Sequence, residues 1–153
     1  MEIRLATLND IESICQLYHE FWKYNAKLQP MYYKAGTESG GYPKSTITNE
    51  KSDIFLAVEN LIIVGFIHIK ESQTPPFDAF VQHNYAEIID FMVIEEFRKK
   101  GFGTKLMDAA KKWAKARSLD YLELFVLSDA KDELHFYEHK DFVTVSHTMR
   151  CPL

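Results

Sequence analysis

The sequence predicts an α/β fold built on a mixed sheet, and three observations carry that prediction. β-rich runs and segments of helical period alternate in the order β-α-(α)-β-β-β-α-β-α-β. Ile54 to Glu59 and Ile62 to Lys70 are two β-rich runs separated by a short turn, hence a hairpin, so the sheet is not fully parallel. Tyr85 to Ile94 reads as a strand that leads through a basic, glycine-bearing turn into an amphipathic helix.

Each element follows from its own residues. Glu2 to Ala6 alternates enough for a first strand. Thr7, Asn9 and Asp10 are candidate caps for a helix from about Ile11 to Leu28. Its stripe is Ile11, Ile14, Cys15, Tyr18, Phe21, Trp22 and Asn25, and Pro30 stops it. Gln29 to Ser45 is aromatic and loop-like, with a short helix expected near Lys44 to Lys51. After the hairpin, Glu71 to Asn84 holds Pro75-Pro76 and reads as a long loop, a length often found in functional covers. Gly101 to Arg117 is a helix with Phe102, Leu106, Ala109, Ala110, Trp113 and Ala116 at core spacing. Lys111, Lys112, Lys115 and Arg117 match the negative end of its dipole. Tyr121 to Leu127 is a strand, Ala130 to His139 a short helix, and Phe142 to Met149 a closing strand.

Composition bounds the function. The chain has 153 residues, 46% hydrophobic and 26% charged, as expected of one globular domain spanning 1–153. No apolar run reaches the roughly 18 residues of a membrane span. The start, MEIRLATLND, lacks a signal-peptide layout. Cys15 and Cys151 fit a reducing compartment, so a cytoplasmic location is expected. The net charge is −4 and the lysines are scattered except around Arg98 and the helix after it, which argues against nucleic-acid binding. His135 and His139 are spaced i, i+4, but the run His-Phe-Tyr-Glu-His is not the zinc-hydrolase pattern, and no metal is expected.

The turn Arg98-Lys99-Lys100-Gly101-Phe102-Gly103 carries the chemistry. It places backbone N–H groups, two glycines and three cations at the positive end of a helix, an arrangement that binds phosphate or pyrophosphate. The Walker pattern is excluded because Gly103-Thr104-Lys105 is in the wrong order, and the dinucleotide fingerprint because its three-glycine spacing is absent.

Strand, then Arg98-x-x-Gly101-x-Gly103, then helix resembles the acetyl-CoA-binding core of the GNAT superfamily of acyl-CoA-dependent N-acetyltransferases. The resemblance covers most of the chain. It implies a mixed, mostly antiparallel central sheet of six or seven strands flanked by about four helices. It further implies acetyl-CoA as cosubstrate, held by Met92, Val93, Arg98, Lys99, Lys100, Gly101, Phe102, Gly103 and Thr104. The phosphate-site strand is expected to splay from Tyr121–Leu127, leaving backbone for the pantetheine arm.

Acetyl transfer to an amine needs a base, because a lysine-like amine, with a pKa of about 10.4, arrives charged. Glu87 stands eleven residues before Arg98, as in family members that use a glutamate on this strand. In a regular strand Glu87 and Asp90 point to opposite faces, so only one can face a given cleft. Asp90, Glu38, Asp78 or a water chain remain open as alternatives. Phe136-Tyr137-Glu138 followed by Phe142 resembles the family's second motif, where the tyrosine donates to the coenzyme sulphur, so Tyr137 is the candidate acid. Three positions depart from that motif: Ala130 stands where Asn is usual, Glu133 where Ala is, and Asp141 where Gly is. The last requires Asp141 to take a backbone shape that glycine usually takes.

The resemblance implies that the acceptor is a primary amine of a small molecule or peptide. A homodimer stays open. Tyr18, Phe21, Trp22, Tyr32, Tyr33 and Tyr42 cluster where the family forms one wall of the acceptor cleft, and aromatics suit a cationic amine. The departures keep a second reading open: a non-catalytic acyl-CoA-binding sensor or regulatory module.

Overall fold

A computed structural model describes residues 1–153. Five strands form one sheet in sequential order: β1 (Glu2–Leu5), β2 (Ser52–Glu59), β3 (Ile62–Gln73), β4 (Asn84–Val93) and β5 (Leu122–Leu124). β1 to β4 are antiparallel neighbours and β5 is parallel to β4. The sheet is thus mixed and mostly antiparallel, as expected, but it has five strands rather than six or seven.

The expected closing strand, Phe142 to Met149, is the difference. Val143, Val145 and Met149 are each about four-fifths exposed or more, and the segment has no ladder. Alternating Val and Thr give it strand propensity, but a strand also needs a hydrogen-bonding edge. The β5 edge is only three residues long. The segment is instead tethered further on, where the Arg150 guanidinium lies 4.4 Å from the centre of the Tyr32 ring.

Four α-helices flank the sheet: α1 (Ile11–Leu28), α2 (Gly41–Ile47), α3 (Phe102–Ala116) and α4 (Lys131–Glu138). α1 begins and ends where its cap residues and Pro30 place it. α2 starts three residues before the expected Lys44, because Gly40, at φ 94°, turns the chain and Pro43 fits a first helical turn. Asp10, at the start of α1, accepts from both Arg4 Nη atoms (2.9 and 2.8 Å) and from Thr7 N and Oγ1. These bonds, Arg4's first, hold its carboxyl well below the ordinary range. They tie β1 to α1.

Both faces of the sheet are covered, which is why β2 and β3 are nearly continuous apolar runs. Ala57, Ile67, Ile69, Ala86 and Ile88 face α3 and its Phe102, Leu106, Met107 and Ala110. Ile54, Leu56, Phe66 and Met92 face α1 and its Ile14, Leu17 and Tyr18.

Two irregularities matter. The β2–β3 hairpin turns on Asn60 (φ 49°) and Leu61 (φ 65°). That two-residue turn favours Asn-Gly, and the leucine side chain is almost wholly in solvent. A left-handed non-glycine residue costs roughly 1–2 kcal/mol, part of which the floppier unfolded glycine chain takes back. Leu61→Gly is therefore expected to raise the thermal midpoint by about 2–4 °C. An unchanged or lower midpoint in a calorimetric scan would show that Leu61 carries no strain.

The second irregularity lies in β4. His68 pairs with Asp90, but Ile69 pairs with Ile88, so Ile89 is an extra residue, a bulge. Cross-strand partners share a face. Lys70 pairs with Glu87, and Lys70 and His68 are two residues apart on β3. Glu87 and Asp90 therefore lie on the same face, which the strict alternation of a regular strand forbids. The same shift explains why Ile88 faces α3 while Met92 faces α1.

Candidate active site

β4 and β5 pair only through Ala86–Leu122, Glu87–Glu123 and Ile88–Leu124, after which they part. A cleft of about 610 Å³ opens in the gap. Its walls are β4 from Ile88 to Val93 and the chain from Leu124 to Leu127. α1 adds Phe21, Trp22, Tyr24 and Asn25, with Tyr33 from the loop after it. The basic turn closes one end with Arg98, Lys99, Gly101, Gly103 and Thr104, and α4 supplies Glu133, Phe136 and Tyr137.

The cleft brings together most of the residues singled out from sequence: Met92, Val93, Arg98, Lys99, Gly101, Gly103, Thr104 and Tyr137. Lys100, Phe102 and Glu87 are not in its lining. Phe102 is buried in the core beneath α3, and the Lys100 ammonium lies 5.0 Å from the centre of the Phe97 ring. Glu87 accepts from Ser72 Oγ (2.9 Å) and pairs with Lys70 Nζ (3.1 Å), on the sheet face it shares with Asp90.

At the turn, Gly101 caps α3 with φ 88° and ψ −5°. Its carbonyl takes the first helical bond, from Lys105 N (3.1 Å). The N–H groups of Phe102, Gly103 and Thr104 therefore have no acceptor within the helix. They are a ready anion site. Arg98 is less free than its charge suggests. Nε donates to Val93 O (3.0 Å), Nη1 stands 3.8 Å from Glu133, and the guanidinium lies 5.0 Å from the Tyr24 ring centre. Glu133 Oε2 is buried without a partner. Burial first, then Glu133, pushes the Tyr24 phenol up to about 12.

Tyr137 is 9% exposed and packs against Phe91, Phe136 and Phe142. Burial, then the charge of Glu133, raises its phenol above the ordinary range, so it stays protonated. After it, Phe142 N donates to Tyr137 O (3.1 Å), with Asp141 at φ 69°. Asp141 thus takes the left-handed shape required of that position.

The least legible part of the site surrounds Asp90. Tyr18, fully buried, donates to Asp90 Oδ2 (2.9 Å). Tyr42 Oη lies 3.5 Å from the same oxygen and 3.0 Å from His68 Nδ1, and His68 Nε2 is 3.3 Å from Thr46 Oγ1. Burial chiefly, then the Asp90 charge, pushes both phenols far above their ordinary range. They remain donors. His68 is the member that the sequence reading did not single out. The available signal was its imidazole, polar yet central in a strand with apolar neighbours on both sides.

Known proteins share the chain's sequence pattern and fold. Residues 11–142 match the acetyltransferase (GNAT) family, and the chain belongs to that family. It is 28% identical over 141 residues to an uncharacterized N-acetyltransferase of Archaeoglobus fulgidus, covering 92% of each chain. It is 27% identical over 154 residues to N-alpha-acetyltransferase 60 of Danio rerio, covering 93% of this chain and 59% of that protein. A crystal structure of a tetramutant of the BH1408 protein from Bacillus halodurans superposes with a TM-score of 0.94 at 25% identity, covering all of both chains. The α/β fold is that of the family. No helix is long and apolar enough to cross a membrane.

Proposed function

We propose that this chain, a single domain working in the cytoplasm, transfers an acetyl group from acetyl-CoA directly to a primary amine of a small molecule or peptide. One observation carries the reading. A single cleft joins an anion-binding turn, a strand edge freed by the parting of β4 and β5, and the phenol of Tyr137. The residues fit the coenzyme. The free N–H groups at the start of α3, with Lys99 and Lys100 beside them, suit its pyrophosphate. The β4 edge at Met92 and Val93 suits its pantetheine amides. Glu133 Oε2, buried and unpartnered, is a further acceptor for an N–H.

When bound, acetyl-CoA supplies the acetyl group as an activated thioester. The chain's own groups do the rest. Backbone N–H groups near Met92 and Val93 polarise the carbonyl. Tyr137 Oη, protonated at working pH, holds the proton for the departing sulphur. Glu87 receives the proton from the acceptor through water, from the same sheet face as Asp90.

The test is amine-dependent release of CoA thiol from acetyl-CoA across a panel of amines. Release that requires both protein and amine supports the reading. The altered second motif, with Ala130, Glu133 and Asp141 at three of its positions, supports a second reading, a non-catalytic acyl-CoA sensor. Tight CoA binding with no thiol release for any amine would establish it.

A further inference from the structure

We propose that Asp90 is the receptor for the acceptor's ammonium and that the site selects a singly charged amine with an apolar or aromatic body. The inference rests on the acetyltransferase reading and goes on to the class of acceptor.

Asp90 has no Lys or Arg partner. Its contacts are the hydroxyls of Tyr18 and Tyr42, with His68 Nδ1 at 3.8 Å, and its side chain is 16% exposed. The hydroxyls converge on Oδ2, which leaves Oδ1 for a ligand. Of the other acids nearby, Glu87 is paired with Lys70 at 3.1 Å, Glu133 faces Arg98 at 3.8 Å, Glu38 accepts from Gly40 N (2.8 Å), and Asp132 lines the cleft from the first turn of α4. A largely buried carboxylate with hydroxyl donors and no Lys or Arg partner is what a ligand cation completes.

The opposite wall says what the rest of the ligand is. Phe21, Trp22, Tyr24 and Tyr33 line it, and no acid comes from that wall. A second or third ammonium would lie against rings. A ring face is worth about 0.5–2 kcal/mol to a cation. Taking an ion out of water costs several kcal/mol. The desolvation cost wins, so polycations are disfavoured. An aromatic monoamine, or a peptide with an apolar first side chain and one ammonium, satisfies both walls.

Trp22 gives a readout that does not need turnover. It lines the cleft, whereas the other tryptophan, Trp113, donates to Asp53 under α3. Binding to the CoA-saturated protein would be followed by tryptophan fluorescence for four probes: 2-phenylethylamine, a C-terminally blocked tetrapeptide beginning with leucine, spermidine and kanamycin. At least one monocation is expected to bind ~10-fold or more tightly than either polycation. The pair separates a small-molecule from a peptide acceptor. Asp90→Asn, nearly isosteric, is expected to weaken that binding ~10- to 100-fold with CoA affinity unchanged. Tyr42→Phe, a positioning change, should raise KM for the amine a few-fold (~3–10) and leave KM for acetyl-CoA alone.

Equal or tighter binding of a polycation, unchanged binding by Asp90→Asn, or binding of none of the probes would each overturn the inference. Asp90-dependent binding without thiol release would sink acetyl transfer and leave the receptor standing. Thiol release that ignores Asp90→Asn would do the reverse.

Discussion

Gly101→Asp is expected to abolish CoA binding at concentrations that saturate the wild type, while the protein stays folded. The fold survives because the position is open. A Cβ there meets only Met1 Cε, at 3.9 Å. Its φ of 88° is left-handed, but aspartate tolerates that region at modest cost, as Asp141 does in this chain. Binding fails because a carboxylate would stand among the free N–H groups of α3, where a pyrophosphate must sit. Two like charges 4 Å apart cost about 4 kcal/mol at an effective dielectric constant of 20. Half to all of that is about 30- to 1000-fold in Kd. Gly101→Ala is the control, since it adds the backbone strain without the charge and should lose far less affinity. Gly103→Asp is the poorer test, because its Cβ would already stand 3.4 Å from Phe91 and 3.6 Å from Phe136. Calorimetric titration with CoA decides the matter. A Gly101→Asp protein that binds like the wild type would remove the pyrophosphate from this turn.

That turn was legible because everything it needs is contiguous. A strand, a left-handed glycine and a helix N-terminus lie within twenty residues of one another. α1 was equally legible, because its stripe and both of its ends are local signals. What escaped was set by pairing between distant segments. The β4 bulge is a register mismatch with β3, and nothing in β4 alone marks Ile89 as the extra residue. The bulge overturned the expectation that Glu87 and Asp90 must face opposite ways. The Asp90 cluster draws on α1, α2, β3 and β4, and its shortest bond joins residues 72 positions apart. Tyr18, Tyr42 and Asp90 stood out separately, but nothing local joined them or brought in His68 and Thr46. The closing strand failed for the opposite reason. Val143 and Val145 carry the local pattern, but no long edge exists to receive them.

Tyr137→Phe is expected to lower kcat by roughly 10- to 1000-fold with little change in CoA affinity. The substitution removes one hydroxyl from a buried ring and keeps the packing against Phe91, Phe136 and Phe142. The protein should therefore fold and bind as before. The sign of the pH effect follows from the environment. Burial raises the phenol above its ordinary value of about 10, so the group is a protonated donor throughout neutral pH. The wild-type kcat should then show no falling limb from Tyr137 below about pH 10. In the variant, sulphur departure must wait for water, and the defect should be nearly constant across the same range. Single-turnover measurements with a competent amine separate this step from product release. An unaltered kcat would assign the proton to water or to another group in the cleft. A defect confined to KM for acetyl-CoA would make the hydroxyl a binding contact instead of a proton donor.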